Sequence, residues 1–161
     1  MMPDGERYHR TLDALSQELG ENLVACALFG SRARGDARLG SDTDLFVVAE
    51  GLPPSPGGRQ TRLRTAVGSR RAPMASFVAV TPAEFGAQFP SYYLDLGLDA
   101  QVLHDPSGFL EDGLRRIKEI TAQSGLRRTG TRKRFRWEWA RRPKGNWEIT
   151  WEGYRELGRR Q

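Results

Sequence analysis

Two short apolar runs, LVACALF at 23–29 and DLFVVAE at 44–50, are separated by GSRARGDARLGSDT, a stretch of glycines, serines and charges. Runs this short and this apolar suit strands buried on both faces, whereas the residues between them turn and cap rather than pack. If the two strands are neighbours, everything between them is held at one end of a sheet.

The rest of the chain alternates in the same way. Tyr8, Leu12, Leu15 and Leu19 fall at helical spacing in GERYHRTLDALSQELGEN, which predicts an amphipathic helix stopped by Gly20. GLPPSPGG at 51–58 is dense in Pro and Gly and reads as a surface loop, followed by a short Arg-rich helix in RQTRLRTAVGSR. MASFVAVTP at 74–82 predicts a third strand ended by Pro82, where Thr81 as N-cap and Glu84 at the capping-box position start a helix. AQVLHD at 100–105 reads as a fourth strand, and DPSGFLEDGLRRIKEITAQSG as a helix closed by Gly125.

In KRFRWEWARRPKGNWEITWEG, residues 133–153, Phe135, Trp137 and Trp139 alternate with charged residues. A Pro-Lys-Gly-Asn turn follows, then Trp147, Ile149 and Trp151 in the same alternation. This predicts a hairpin whose tryptophans pack on the sheet. The expected class is α/β (α+β), a mixed β-sheet flanked by helices with a C-terminal aromatic β-hairpin. The 161 residues fit one domain, 1–161, with a core at about 6–124 and a basic hairpin extension at about 125–161.

Charge is placed unevenly. Residues 125–161 hold twelve Lys or Arg and four Glu, a net of +8, so residues 1–124 carry 13 basic against 16 acidic, a net of −3. Such a tail suits a phosphate-bearing partner, nucleic acid among them, or equally the solvated face of a hairpin. One cysteine, Cys26, cannot build a disulfide framework and reads as a small buried hydrophobe. No apolar stretch approaches the roughly 18 residues of a membrane span, and the first residues hold no apolar signal core. A cytoplasmic protein without membrane contact is expected.

Asp42 and Asp44 stand two apart where the second strand begins, so both carboxylates share one face. Like charges this close repel unless a cation lies between them, and an all-oxygen pair suits Mg²⁺ or Mn²⁺. At the end of the preceding strand, Gly30 and Ser31 can turn the chain into a short helix whose backbone N–H groups receive an anion. Arg32 and Arg34 add fork-shaped cations for phosphate, and Ser41 can orient Asp42. Either half alone is an ordinary turn; together, between two strands, they have the parts that phosphorus-group transfer requires.

GSRARGDARLGSDTDL follows G-S-x10-D-x-D and closely resembles the signature of the nucleotidyltransferase superfamily of DNA polymerase beta, especially its minimal stand-alone members. VTPAEF, YYLDLGLDAQVLHDPSGFL and FRWEWARRPKGNWEI resemble later segments of one subgroup. The resemblance implies a nucleotidyltransferase fold, a nucleoside triphosphate held at Gly30 and Ser31, and Mg²⁺ on Asp42 and Asp44. It also implies transfer of a nucleoside monophosphate to a hydroxyl acceptor with release of pyrophosphate, ATP being the foremost donor. Active relatives add a third carboxylate on a later strand, but MASFVAVTP has none and offers Ser76. Of the nearest acids, Glu84 reads as a helix cap, and Asp95 and Asp99 as an exposed helix face at i, i+4. The alternative is a catalytically weak or inactive binding module, such as an antitoxin-like partner of a small helical HEPN-type protein, or a homodimer. His9 and His104 lack metal-ligand companions and read as structural or exposed.

Overall fold

The computed structural model describes residues 4–68 and 75–158. Ser69 and Arg70, at the end of the Arg-rich helix expectation, and Met74, at the start of the third-strand expectation, lie outside the described residues. In chain order the elements are α1 (Asp4–Leu19), a 3-10 turn (Gly20–Asn22), β1 (Leu23–Phe29), α2 (Gly30–Arg34), β2 (Thr43–Ala49), α3 (Pro56–Val67) and β3 (Ala75–Val80). Then come α4 (Pro82–Ala87), α5 (Tyr92–Asp99), β4 (Gln101–His104), α6 (Phe109–Ser124), β5 (Leu126–Gly130), β6 (Phe135–Trp139), β7 (Trp147–Thr150) and β8 (Gly153–Glu156).

Four strands form a mixed sheet in the order β3-β2-β1-β4. β1 runs antiparallel to β2 and β4, while β2 and β3 are parallel. The two central strands are almost wholly apolar because both faces are covered. Cys26, Leu28, Leu45, Val47 and Ala49 meet Leu15 and Leu19 of α1 and Leu63 and Val67 of α3. Ala25, Ala27, Phe46 and Val48 meet Phe85, Tyr93, Leu96, Leu110, Leu114 and Ile117 from α4, α5 and α6. Burying a large apolar side chain contributes about 1.5–3 kcal/mol, so the two-sided core fixes the β1–β2 register and with it the relative position of residues 30 and 44.

Two elements differ from the sequence expectation. The surface loop ends earlier, because Ser55 caps α3 by accepting the Gly58 N–H at 3.0 Å and Pro56 occupies the first turn. Ser-Pro is itself a helix-start pair, outweighed in the sequence by its Pro and Gly neighbours.

The aromatic hairpin is present, with different partners. β6 pairs with β5, Leu126 opposite Trp139 and Gly130 opposite Phe135, and β7 pairs with β8. The Pro143–Asn146 stretch links two hairpins instead of forming the tip of one. Gly130 decides this: at φ +107 a Cβ there would lie 2.2 Å from the Arg134 carbonyl oxygen, so only glycine closes the β5–β6 turn. The four tryptophans consequently part company. Trp151, in the β7–β8 turn, packs 5.1 Å from the Phe85 ring and donates its indole N–H to the Phe85 and Gln88 carbonyls at 3.0 and 2.8 Å. Trp137 donates to Asp95 at 3.0 Å, Trp139 meets Trp147 edge-on at 4.9 Å, and Trp147 remains 46% exposed. Among the described residues no helix is long and apolar enough to cross a membrane.

Candidate active site

At the end of β1 the chain turns at Gly30, φ +70, into the single turn of α2, which Gly35 closes at φ +80. Antiparallel register sets Phe29 opposite Asp44, and the outcome is an unusually close approach. A Cβ on Gly30 would stand 2.2 Å from Asp44 Oδ2. The turn and the second aspartate of the pair are thus brought together, with room for backbone alone between them.

Asp42 is exposed immediately before β2, and Asp44 is half-buried one pleat further on. Burial pushes the Asp44 carboxyl above its ordinary value of 3.8, the neighbouring Asp42 charge pushes it further, and Arg34 and Arg32 oppose both. Asp42, Asp44, Arg32 and Arg34 therefore share one electrostatic environment. Arg32 donates to the Ser41 carbonyl at 2.6 Å, tying α2 to the segment before Asp42. The Ser41 hydroxyl accepts from the Arg38 N–H at 2.8 Å, closing the 38–41 turn, and no hydrogen bond joins it to Asp42 among the described residues. Both Arg32 Nε and Arg34 Nε are buried without an acceptor. Buried donors of this kind are uncommon in folded proteins and mark places where a partner belongs.

The raised Asp44 value has a stability consequence with a definite sign. A folded-state value above the unfolded one favours folding while the group is protonated, and this advantage is lost as pH rises through the folded value. Asp44→Asn should accordingly raise the thermal midpoint at pH 7, and the difference from wild type should vanish below about pH 3.8, where the aspartate is neutral in both states. Thermal melts of the two proteins across pH check this; a neutral-pH midpoint at or below that of wild type would contradict it.

In the parallel β2–β3 register Ser76 pairs with Asp44, so the strand beside the aspartate pair presents a hydroxyl there. Glu84 is the helix cap expected of it: Thr81 accepts its N–H at 3.1 Å, Glu84 accepts the Thr81 N–H at 2.9 Å, and Arg59 donates to the same carboxylate at 2.8 Å. The Arg59 hydrogen bond, first among the causes, holds Glu84 below its ordinary range.

Asp95 and Asp99 are the correction. They do not form an exposed helix face, because β5 folds back over α5. Arg128 grips Asp99 with two hydrogen bonds of 2.6 and 2.7 Å and reaches Asp95 at 3.2 Å, leaving the Asp99 side chain 7% exposed. Arg34 of α2 lies 3.6 Å from the same carboxylate. Both acids, with Tyr92, Phe29, Val78 and Arg34, line a cavity of about 320 Å³ that opens on Gly30. The sequence carried one signal of this, an acidic LDLGLD helix and a basic RRTG strand of opposite charge, but spacing along the chain could not tell that they meet.

Among the described residues no group of three or more His, Cys, Asp and Glu gathers as a metal cluster. His9 makes an exposed 3.7 Å pair with Asp13, and His104 lies opposite Cys26 on β4. Complete burial pushes the Cys26 thiol up to about 12, which leaves it unreactive.

A mixed sheet whose two central strands bring a glycine-serine turn and an Asp-x-Asp pair together at one end defines an α/β domain of the nucleotidyltransferase class. Residues 9–81 match the nucleotidyltransferase domain family, and the chain belongs to it. A curated protein of Methanocaldococcus jannaschii, named as a candidate protein adenylyltransferase, is 31% identical over 113 residues, 68% of this chain and 77% of that one. Among solved structures, a spectinomycin adenyltransferase from Enterococcus faecialis, with ATP and spectinomycin, aligns at 14% identity and TM-score 0.47 over 74% of this chain and 65% of that one. A complex of tri-AMPylated Shewanella oneidensis HEPN toxin with MNT antitoxin aligns at 13% identity and TM-score 0.44, covering 73% of this chain and 88% of that chain.

Proposed function

We propose that this protein transfers a nucleoside monophosphate from a triphosphate, ATP foremost, to a hydroxyl acceptor and releases pyrophosphate, with Mg²⁺ as cofactor. The observation that carries the reading is the approach of the Gly30 backbone to the Asp44 carboxylate, with Asp42 one pleat away. Asp42 and Asp44 fit a hard divalent cation: their donors are all oxygen, their charges repel, and burial together with that repulsion holds the Asp44 carboxyl above its ordinary range. When bound, Mg²⁺ neutralises phosphate charge as it develops.

The chain's own groups do the positioning. The Gly30–Ser31 turn offers its backbone N–H groups and the Ser31 hydroxyl to a phosphate, and the absence of a side chain on Gly30 lets the Asp44 carboxylate stand beside them. Arg32 and Arg34 each bring a buried Nε donor that nothing among the described residues accepts, suited to phosphate oxygens. With Ser76 beside Asp44, β3 offers no carboxylate to take the acceptor's proton; the proton leaves to solvent or to a group on the acceptor.

Incubation with labelled ATP, Mg²⁺ and a panel of hydroxyl acceptors tests this. The Asp42→Ala, Asp44→Ala double variant should release pyrophosphate at least about a thousandfold more slowly, the scale expected for removing preorganised charge stabilisation at a reacting phosphate. Equal, negligible release from both proteins across donors and acceptors would overturn the reading. Ser76 favours a second one, a nucleotide-binding module that works through a protein partner. Under that reading ATP and the partner bind, and partner capture survives the double substitution.

A further inference from the structure

The basic tail, which the transfer reading leaves unused, supplies one wall of a second cavity. β5 and β6 close against α2 and α5 around a space of about 200 Å³ lined by Arg34, Asp99, Arg128, Arg132, Phe135 and the 129–131 segment. The lining itself carries three arginines and one aspartate, and Asp95 and Asp36 stand behind it against Arg128 and Arg34, which leaves Arg132 as the lining arginine without a carboxylate partner among the described residues. Arg128 is committed to Asp99 and, beyond the cavity wall, to Asp95. Arg34 is held only loosely: its ion pairs to Asp99 and Asp36 are both 3.6 Å, longer than hydrogen bonds, and its buried Nε has no acceptor. Phe135 holds two of the three cations, with the Arg34 and Arg128 guanidinium carbons 5.1 and 4.6 Å from its ring centre. Arg132 is exposed at the rim, its guanidinium on the Gly35 side.

An arginine whose buried Nε lacks an acceptor, beside a cavity whose rim arginine, Arg132, has no carboxylate partner among the described residues, suits an oxyanion. The size narrows the choice further. Small-molecule pockets begin at roughly 300 Å³, so this space takes a single charged group and not a whole nucleotide. Gly30 lines the neighbouring cavity and not this one; the two share Arg34 and Asp99. We propose that the cavity between the β5–β6 hairpin and α2 is a phosphate subsite, and that it holds a phosphate group carried by the acceptor. The subsite stands on its own geometry; its assignment to the acceptor rests on the nucleotidyl-transfer reading. Arg34, facing both cavities, then links acceptor binding to the donor site.

Titration calorimetry with inorganic phosphate, and separately with ATP and Mg²⁺, tests the proposal on the full chain. Phosphate should bind, and Arg132→Gln should weaken it roughly tenfold, the worth of one charge-assisted hydrogen bond. Arg34→Lys, which keeps the charge and removes Nε, should weaken it as well. Phosphate affinity should persist in the Asp42→Asn, Asp44→Asn variant, so a failure of the transfer reading leaves this outcome readable. ATP affinity should be unchanged in Arg132→Gln. Absence of phosphate binding, or equal affinity in wild type and Arg132→Gln, overturns the subsite. A parallel loss of ATP affinity in Arg132→Gln overturns the acceptor assignment, since the phosphate would then be the donor's.

Discussion

Gly30→Ala should abolish nucleotidyl transfer as completely as loss of Asp44, while leaving the protein folded. Two costs meet at this position. The backbone sits at φ +70, where an L side chain costs roughly 1–2 kcal/mol. The new methyl would also stand 2.2 Å from Asp44 Oδ2 and 3.1 Å from its Cγ, so the carboxylate must rotate away. Asp44 has a short side chain at the end of a buried strand, so rotation is cheaper than moving β1 against β2, and the displaced group is the one the proposed transfer needs. Gly40→Ala separates the two costs. Gly40 has φ +87, and a methyl added there would meet nothing within 4 Å, so its alanine variant should lose a similar amount of stability and keep activity. Urea melts with pyrophosphate-release assays on both variants check this; activity surviving in Gly30→Ala would remove the Gly30–Asp44 contact from the proposed function.

The same contact explains how much of the site is legible in the amino-acid sequence. The apolar runs at 23–29 and 44–50 read as strands, and strands covered on both faces have little freedom in register, so the turn after Phe29 and the carboxylates near Leu45 fall together almost by necessity. The parallel partner is legible too: MASFVAVTP supplies β3, and its register sets Ser76 at Asp44. The second wall escapes such a reading. Asp95 and Asp99 look like a solvated face because i, i+4 spacing is a local property, whereas their burial depends on Gly125 and Gly130 reversing the chain to lay Arg128 across them. The aromatic alternation of β6 and β7 is equally uninformative about partners, since period two is satisfied by any antiparallel neighbour; turn chemistry at Gly130 and Gly153 makes the choice.

That second wall should be the less stable and the more sensitive to charge. Asp99 accepts both hydrogen bonds of the Arg128 fork and faces Arg34 at 3.6 Å, with its side chain 7% exposed. Its removal leaves two guanidinium groups crowded around Phe135, with Asp95 at 3.2 Å as the remaining partner of Arg128. Breaking one side of a buried ion pair costs about 3–5 kcal/mol, because an uncompensated charge stays behind. Arg128 and Arg34 each keep about a fifth of their side-chain surface exposed, which places the expected loss for Asp99→Ala near the lower end, about 3 kcal/mol. The cause is testable by removing the other partner. If stranded charge is what destabilises, Asp99→Ala with Arg128→Met should be more stable than Asp99→Ala alone, a strongly non-additive cycle. If lost packing of α5 is the cause, the two substitutions should add. Urea unfolding followed by tryptophan emission reads the outcome, and Trp137 gives it a local reporter through its 3.0 Å hydrogen bond to Asp95. Since Arg34 faces both Asp99 and the Gly30 turn, the same single variant removes a negative charge beside that arginine, so under the proposed function ATP binding should be no weaker than in wild type.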